Sequence, residues 1–321
     1  MKVAILGAGA FGTALAVTLA RNGAEVGLWT RDPDHAAAMR REGANTRRLP
    51  GVDLPESVSV SAKIADFSAA PIQLLAMPMQ DLAGFLAAHC AALDGKALVA
   101  CAKGIDLATG RGPTAIIAQT CPHSTAAVLT GPSFAGDIAR GLPTALTLAC
   151  GDDARGKVLQ DTLSTPTLRL YRTADTVGAE LGGALKNVIA IAAGVVIGAR
   201  LGDSARAALM TRGFAEMNRL AQALGARAET LAGLSGLGDL VLTCTSLQSR
   251  NFRFGHALGA GEAFDPGVTV EGSATAKAVS VLAEKHRIEM PIAFMVAALV
   301  DRKITVEDAM TALLARPLKK E

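Results

Sequence analysis

The 321-residue sequence lacks the features that would make it a disulfide scaffold, a metal protein or a nucleic-acid binder. Its five cysteines, at 90, 101, 121, 150 and 244, are odd in number, and no two have CxxC spacing. That excludes a disulfide framework and a zinc ribbon and points to a reducing, cytoplasmic setting. The five histidines are equally scattered, so no metal is expected. The net charge of +3 is too small for a protein that works on nucleic acid or a membrane surface. Long apolar runs are also missing. The most hydrophobic stretch, 188–199, is too short to cross a bilayer and reads as a buried core helix. Residues 1–20 are apolar but are broken by Gly7, Gly9 and Gly12, so no secretory leader is read there. No repeat and no low-complexity linker appears.

What is present is a chain that can bury a large core, with half its residues hydrophobic, 19% charged and 33 glycines. At about 100–200 residues per domain, two domains are expected. The first half alternates short apolar runs (2–6, 25–29, 58–60, 72–77, 97–101 and 126–129) with helical patterns such as 12–21 and 34–41. Unbroken runs of this length are the strands of a sheet covered on both faces, and the alternation predicts a parallel, doubly wound α/β fold. Runs at 144–150 and 167–171 extend the sheet, with antiparallel pairing expected at an edge. Near Asp175 the pattern changes to helices separated by Gly-rich turns: 176–199, 204–224, 228–233, 238–246, 251–260, 272–286, 291–299 and 305–315. The expected organisation is a Rossmann-type doubly wound domain over 1–176 and an all-helical domain over 177–321, joined by the helix that starts at 176.

Chemistry is carried first by Gly7-Ala8-Gly9-Ala10-Phe11-Gly12, a GxGxxG between a strand and a helix. The first glycine allows the tight turn, the second lets backbone approach a pyrophosphate, and the third lets helix and strand close up. The helix N-terminus then offers free N–H groups to the anion. At the end of the second strand stand Arg31, Asp32 and Pro33. Asp32 before Pro33 reads as an N-cap, which leaves Arg31 to meet a 2′-phosphate. NADPH is therefore expected, with NADH as the alternative. Arg48 either assists or is an ordinary loop arginine.

Three loops follow strands at the carboxyl edge of the sheet: Met77-Pro78-Met79, Ala102-Lys103-Gly104 and Thr130-Gly131-Pro132-Ser133. Lys103 is their one charge, either solvated or functional. Gly131–Ser133 is read as a helix start, either simply capped or meeting an anion. In the second half, Lys186 lies in an almost wholly apolar, small-residue helix. A buried lysine is costly unless paired or used, and burial beside a cation would ready it for proton transfer; the other reading is a lysine that snorkels to the surface. Asn187 beside it carries donors and acceptors. Asp239 and Thr243 are four apart and share a helix face, although Asp239 after Gly238 also reads as an N-cap. Ser249, Arg250 and Asn251 concentrate polar groups, and the arginine fork suits a phosphate monoester. Glu271, after Val270, opens a further helix.

These segments resemble the bacterial NAD(P)-dependent glycerol-3-phosphate dehydrogenases over nearly the whole chain. The resemblance rests on GAGAFGTALA at 7–16, AKGI at 102–105, GPSFA at 131–135, GLPTA at 141–145, LGGALKNVIAI at 181–191, GLGDLVLTCTSLQSRNFRFG at 236–255 and VEG at 270–272. It implies reversible hydride transfer between NAD(P)H and dihydroxyacetone phosphate, giving sn-glycerol 3-phosphate for glycerophospholipids. It also implies Lys186 as the proton-transfer group, and a substrate site of Lys103, Gly131, Ser133, Asp239, Ser249, Arg250 and Asn251. The cofactor would meet Gly7, Gly9, Ala10, Phe11, Gly12, Arg31, Arg48, Lys103, Ala135, Arg250, Val270 and Glu271.

The sequence departs from the family pattern in three places. Ala10 removes a hydroxyl, Gly136-Asp137 removes an expected local salt bridge, and Met79 replaces a polar residue. Two rivals stay open: another reductase of the same superfamily, acting for example on a 3-hydroxy acid, and a non-enzymatic nucleotide sensor. A homodimer is left open.

Overall fold

The computed structural model describes residues 1–315. Residues 316–321, the end of the second expected domain, lie outside the described residues.

The chain divides into two compact units, and the division differs from the expected boundary in two ways. The first unit is Met1–Lys103 with Arg111–Glu180; the second is Gly104–Gly110 with the residues from Leu181 onward. The division thus falls after Glu180 rather than at 176, and a short excursion at 104–110 belongs with the helices.

The first unit holds one eight-stranded sheet of β1 (Val3–Leu6), β2 (Val26–Trp29), β3 (Val58–Ser61), β4 (Ile72–Leu75), β5 (Ala97–Ala100), β6 (Thr125–Thr130), β7 (Thr144–Cys150) and β8 (Leu168–Thr173). The spatial order is β3-β2-β1-β4-β5-β6-β7-β8, and β1 to β6 pair in parallel. This is the doubly wound order, with its switch point between β1 and β4. Strand β7 runs antiparallel to β6, while β8 is parallel to β7. Only the β6–β7 step therefore has the antiparallel sense expected of the edge. Val3 and Ile5 bury on one face and Leu6 on the other, which is why these strands read as unbroken apolar runs. Helices α1 (Ala10–Arg21), α2 (Pro33–Glu42), α3 (Met79–Leu93), α4 (Pro113–Thr120), α5 (Ala135–Ala139) and α6 (Asp153–Leu163) connect the strands.

Helix α7 (Thr176–Gly198) starts in the first unit and continues into the second, where it is followed by α8 (Asp203–Ala223), α9 (Ala228–Ala232), α10 (Asp239–Cys244), α11 (Arg250–Ala260), α12 (Glu271–His286), α13 (Pro291–Val300) and α14 (Val306–Leu314). By length and composition α7 is apolar enough to cross a membrane, but 89% of its apolar window is buried within the protein. Two glycine pairs show why its residues are so small. A Cβ on Gly194 or Gly198 would run into the backbone of α11, and a Cβ on Gly255 or Gly259 would run into the backbone of α7. The two helices therefore cross backbone to backbone. Leu185, Ile189, Met217, Phe252, Val279 and Ile292 pack in the surrounding core.

Candidate active site

On helix α7, Lys186 lies in the interior of the helical unit. Its side chain is 7% exposed and that of Asp239 is 1% exposed, and Lys186 Nζ lies 2.7 Å from Asp239 Oδ1. Nζ also donates to Thr243 Oγ1 at 2.7 Å, and the threonine hydroxyl donates on to Asp239 Oδ1 at 3.2 Å. Asp239 and Thr243 do share one face of α10. Asp239 uses its carboxylate on the lysine, while Gly238 precedes the helix as its last π-turn residue. The π turn Leu234–Gly238 feeds directly into α10; such turns recur where a helix must aim a functional side chain. The lysine does not snorkel, because a carboxylate meets it inside. An opposite charge favours the ammonium form that burial alone disfavours. Burial pushes the neighbouring Cys244 thiol up to about 12, so it is no nucleophile near neutrality.

Next to the lysine, Asn187 Oδ1 accepts from Asn251 Nδ2 at 2.9 Å, and Asn251 Oδ1 accepts from Gly272 N at 2.9 Å. This chain ties α7 and α11 to the start of α12, where Val270 is the N-cap and Glu271 the first residue. Ser249 is the N-cap of α11, its hydroxyl accepting from Phe252 N. Arg250 follows it, exposed and without a hydrogen bond or ion pair among the described residues.

In the first unit the glycine turn divides its labour. Gly7 has φ 129°, and a Cβ there would strike the Ala76 carbonyl; one on Gly12 would strike the Gly7 carbonyl. A Cβ on Gly9 would meet nothing within 4 Å. The protein itself thus requires two of the glycines, and the third keeps space open. Gly9 is the N-cap of α1 with no side-chain cap, and no acidic residue lies in the first turn. The helix therefore presents its first N–H groups, from Ala10 onward, toward that space, an arrangement that fits a pyrophosphate.

Arg31 and Arg48 are both exposed. Asp32 caps α2, accepting from Asp34 N and His35 N, and it pairs with Arg47 at 3.1 Å rather than with either of them. Lys103 Nζ donates to Gly131 O at 3.1 Å, and Ser133 Oγ donates to the same oxygen at 3.2 Å, so these three residues are brought together. Gly131–Ser133 is not a helix start. The helix α5 opens at Ala135 with Phe134 as its N-cap, because Gly131 has φ 138°, outside helical geometry. Ala135, Ala10 and Phe11 pack around one small core with Ala14 and Ile138. The salt bridge expected to be missing at Gly136-Asp137 is replaced by another, since Asp137 pairs with Arg140 at 2.6 Å. Met79 is buried at the head of α3. Among the described residues no group of three or more His, Cys, Asp or Glu is placed to hold a metal.

The spacing puts Thr243 on the Asp239 face, but its direct bond to Nζ comes only from the fold. Asn45 is fully buried beside the glycine turn, and a lone loop asparagine carries no spacing signal that would single it out.

A glycine turn on a doubly wound sheet and a helical unit with a buried lysine–aspartate pair define a nicotinamide-dependent dehydrogenase. A family model described as NAD-dependent glycerol-3-phosphate dehydrogenase N-terminus matches residues 2–155, and one described as the C-terminus of the same enzymes matches 175–311. The chain belongs to this family. It is 64% identical to a protein of Ruegeria sp. (strain TM1040) over 321 residues, 100% of both chains, and 67% identical to one of Cereibacter sphaeroides, over 99% of this chain and 100% of the relative. Both are named glycerol-3-phosphate dehydrogenase (NAD(P)+). A crystal structure of glycerol-3-phosphate dehydrogenase from Coxiella burnetii superposes with a TM-score of 0.93 at 39% identity, covering 98% of this chain and 99% of that one.

Proposed function

We propose that the protein reduces dihydroxyacetone phosphate to sn-glycerol 3-phosphate, reversibly and with NADPH preferred, as a supply of backbone for glycerophospholipids. The observation that carries this reading is the buried cluster of Lys186, Asp239 and Thr243. When bound, the reduced nicotinamide supplies the hydride. Lys186 gives its proton to the alkoxide oxygen that develops at the substrate carbon and is left as a neutral amine, to be reprotonated from solvent; in the reverse direction it accepts that proton. Asp239 keeps the group charged before transfer, and Thr243 fixes its aim.

Arg250, with Ser249 and Asn251, anchors the phosphate, so that remote binding energy positions the carbonyl. Lys103, Gly131 and Ser133 are the further substrate residues that the family resemblance implies. Gly7, Gly9, Ala10, Phe11 and Gly12 hold the pyrophosphate, and Lys103, Ala135, Arg250, Val270 and Glu271 complete the cofactor contacts. Arg31, with Arg48, takes the 2′-phosphate. The five unpaired cysteines support a cytoplasmic setting.

The test is NADPH oxidation with dihydroxyacetone phosphate, with unphosphorylated dihydroxyacetone as the control. Equal rates with both ketones would remove the phosphate anchor from the reading; turnover of a keto acid alone would favour the rival reductase, and no turnover at all the nucleotide sensor. Arg31→Ala should raise the Michaelis constant for NADPH about tenfold or more, the scale of a lost charged hydrogen bond, and leave that for NADH nearly unchanged. Equal effects on both cofactors would count against its role.

A further inference from the structure

We propose that Asn45 and His35 are positioning residues for the dinucleotide, forming a one-way hydrogen-bond relay that aims the Gly9 amide. This rests on the reading of the glycine turn as a nicotinamide-dinucleotide cradle. Asn45 is 0% exposed. Its Nδ2 donates both protons, to Ala8 O at 3.0 Å and to Thr13 Oγ1 at 2.7 Å. Its Oδ1 is therefore the acceptor facing His35 Nε2 at 2.9 Å, and the ring nitrogen must be the donor. The other ring nitrogen, Nδ1, stands 3.5 Å from Thr30 Oγ1, the loosest link. The direction of the three bonds at the Asn45 side chain follows from its two amide protons.

The consequence lies in the peptide that joins Ala8 to Gly9. That unit is planar and trans, so its C=O and N–H point in opposite directions. Holding the Ala8 oxygen fixes where the Gly9 N–H points, and Gly9 is the glycine whose missing Cβ leaves open space. The same asparagine reaches further with its backbone. Its carbonyl accepts from Arg48 N at 3.1 Å and Leu49 N at 2.8 Å, setting the turn that carries Arg48. His35 sits on α2, whose cap Asp32 follows Arg31. One buried side chain thus joins the glycine turn, the start of α1 and the segment after β2.

A relay of this kind affects cofactor affinity without discriminating between cofactors and without touching the proton-transfer group. His35→Leu removes the donor to Asn45 and should raise the dissociation constants of NADPH and NADH alike, by about threefold to tenfold, the range of one hydrogen bond. Asn45→Leu should raise both by about tenfold or more, since two donors are lost. His35→Gln places an N–H donor near the Nε2 position and should restore binding to within about twofold of the unmodified protein. Turnover at saturating cofactor and the Michaelis constant for dihydroxyacetone phosphate should stay near normal in His35→Leu.

If His35→Leu binds both cofactors normally, the relay has no positioning role. A fall in turnover with unchanged affinity also overturns it. Loss of NADPH affinity alone would move His35 to the 2′-phosphate and overturn it too. An unmodified protein that binds neither cofactor would overturn the underlying reading, and this one with it. If Asn45→Leu does not fold, the His35 pair alone decides.

Discussion

The two units build their sites from opposite materials. The glycine turn of the first unit is a site made of backbone, where what matters is the side chains that are missing. The lysine cluster of the second is a site made of side chains, where what matters is a charge set among apolar neighbours. The first tolerates no bulk at Gly7 and Gly12 because the protein's own carbonyls are in the way. The second tolerates no loss of charge balance, because Asp239 and Lys186 are both buried. A backbone site is announced by spacing, and a side-chain site by incongruity. Each kind should fail in its own way when altered.

The contrast is tested hardest at Lys186. Lys186→Met removes the proton while keeping roughly the length, and turnover should fall by about 10²–10⁴-fold or more. The structure adds a second cost, since the buried Asp239 carboxylate would lose its opposite charge. That penalty is about 3–5 kcal/mol and should appear in urea denaturation. Adding Asp239→Asn should return most of the stability and none of the turnover. Affinity for NADPH should be near normal in the double variant. Recovery of turnover there would remove Lys186 from the chemistry.

The glycine turn should separate into two behaviours. Gly12→Ala forces a Cβ into the Gly7 carbonyl and should cost about 1–3 kcal/mol of stability, the scale of overpacking, along with cofactor binding. Gly9→Ala meets nothing in the protein, so stability should change by less than about 1 kcal/mol. Its cofactor affinity should nonetheless fall by about tenfold or more, as charged hydrogen bonds are displaced. If Gly9→Ala bound the dinucleotide normally, the open space at Gly9 would not be where the ligand lies.

Much of this was legible in the sequence, for reasons that the two sites illustrate. The GxGxxG turn was readable because Gly7 and Gly12 each answer to a separate steric demand of the protein itself. Lys186 stood out because a charge in a small apolar helix needs a partner, and the Asp239–Thr243 spacing put those two residues on one face without tying them to it. The helices of the second unit followed from periodicity.

What escaped has physical causes as well. Apolar runs do not reveal which way a strand points, so β7 and β8 were only loosely placed. The start of α5 was misplaced because Gly131 takes a positive φ, which spacing does not encode. The choice of Arg47 over Arg48 by Asp32 depends on the turn that Asn45 fixes. The excursion at 104–110 left no trace in composition.

The smallest expected effect again sets one unit against the other, through two helices that begin alike. Helix α4 has Gly112 as its N-cap and Pro113 in its first position, and α13 has Met290 and Pro291; neither N-cap supplies a side-chain bond. Distant glutamates serve instead. Glu216 accepts from Ile292 N at 2.9 Å and from Ala293 N at 3.3 Å, and Glu180 accepts from Thr114 N at 2.7 Å. A Cβ at Gly112 would strike the Glu180 carboxylate, so the cap dictates that glycine. Burial raises the Glu180 carboxyl from 4.5 to about 7, with the Thr114 bond pulling the other way. Between those two values the folded protein holds a proton that the unfolded chain has lost. Its contribution is therefore complete below about pH 4.5, fades as the pH rises to about 7, and is gone above that. The loss should be about 3 kcal/mol across that window. Glu180→Gln keeps an oxygen for Thr114 but cannot ionise. Urea midpoints measured from pH 4.5 to 8 should show the variant gaining on the unmodified protein as the pH rises. Parallel curves would mean that the cap carries no titrating proton and that the first unit handles its half-buried glutamate by hydrogen bonding alone.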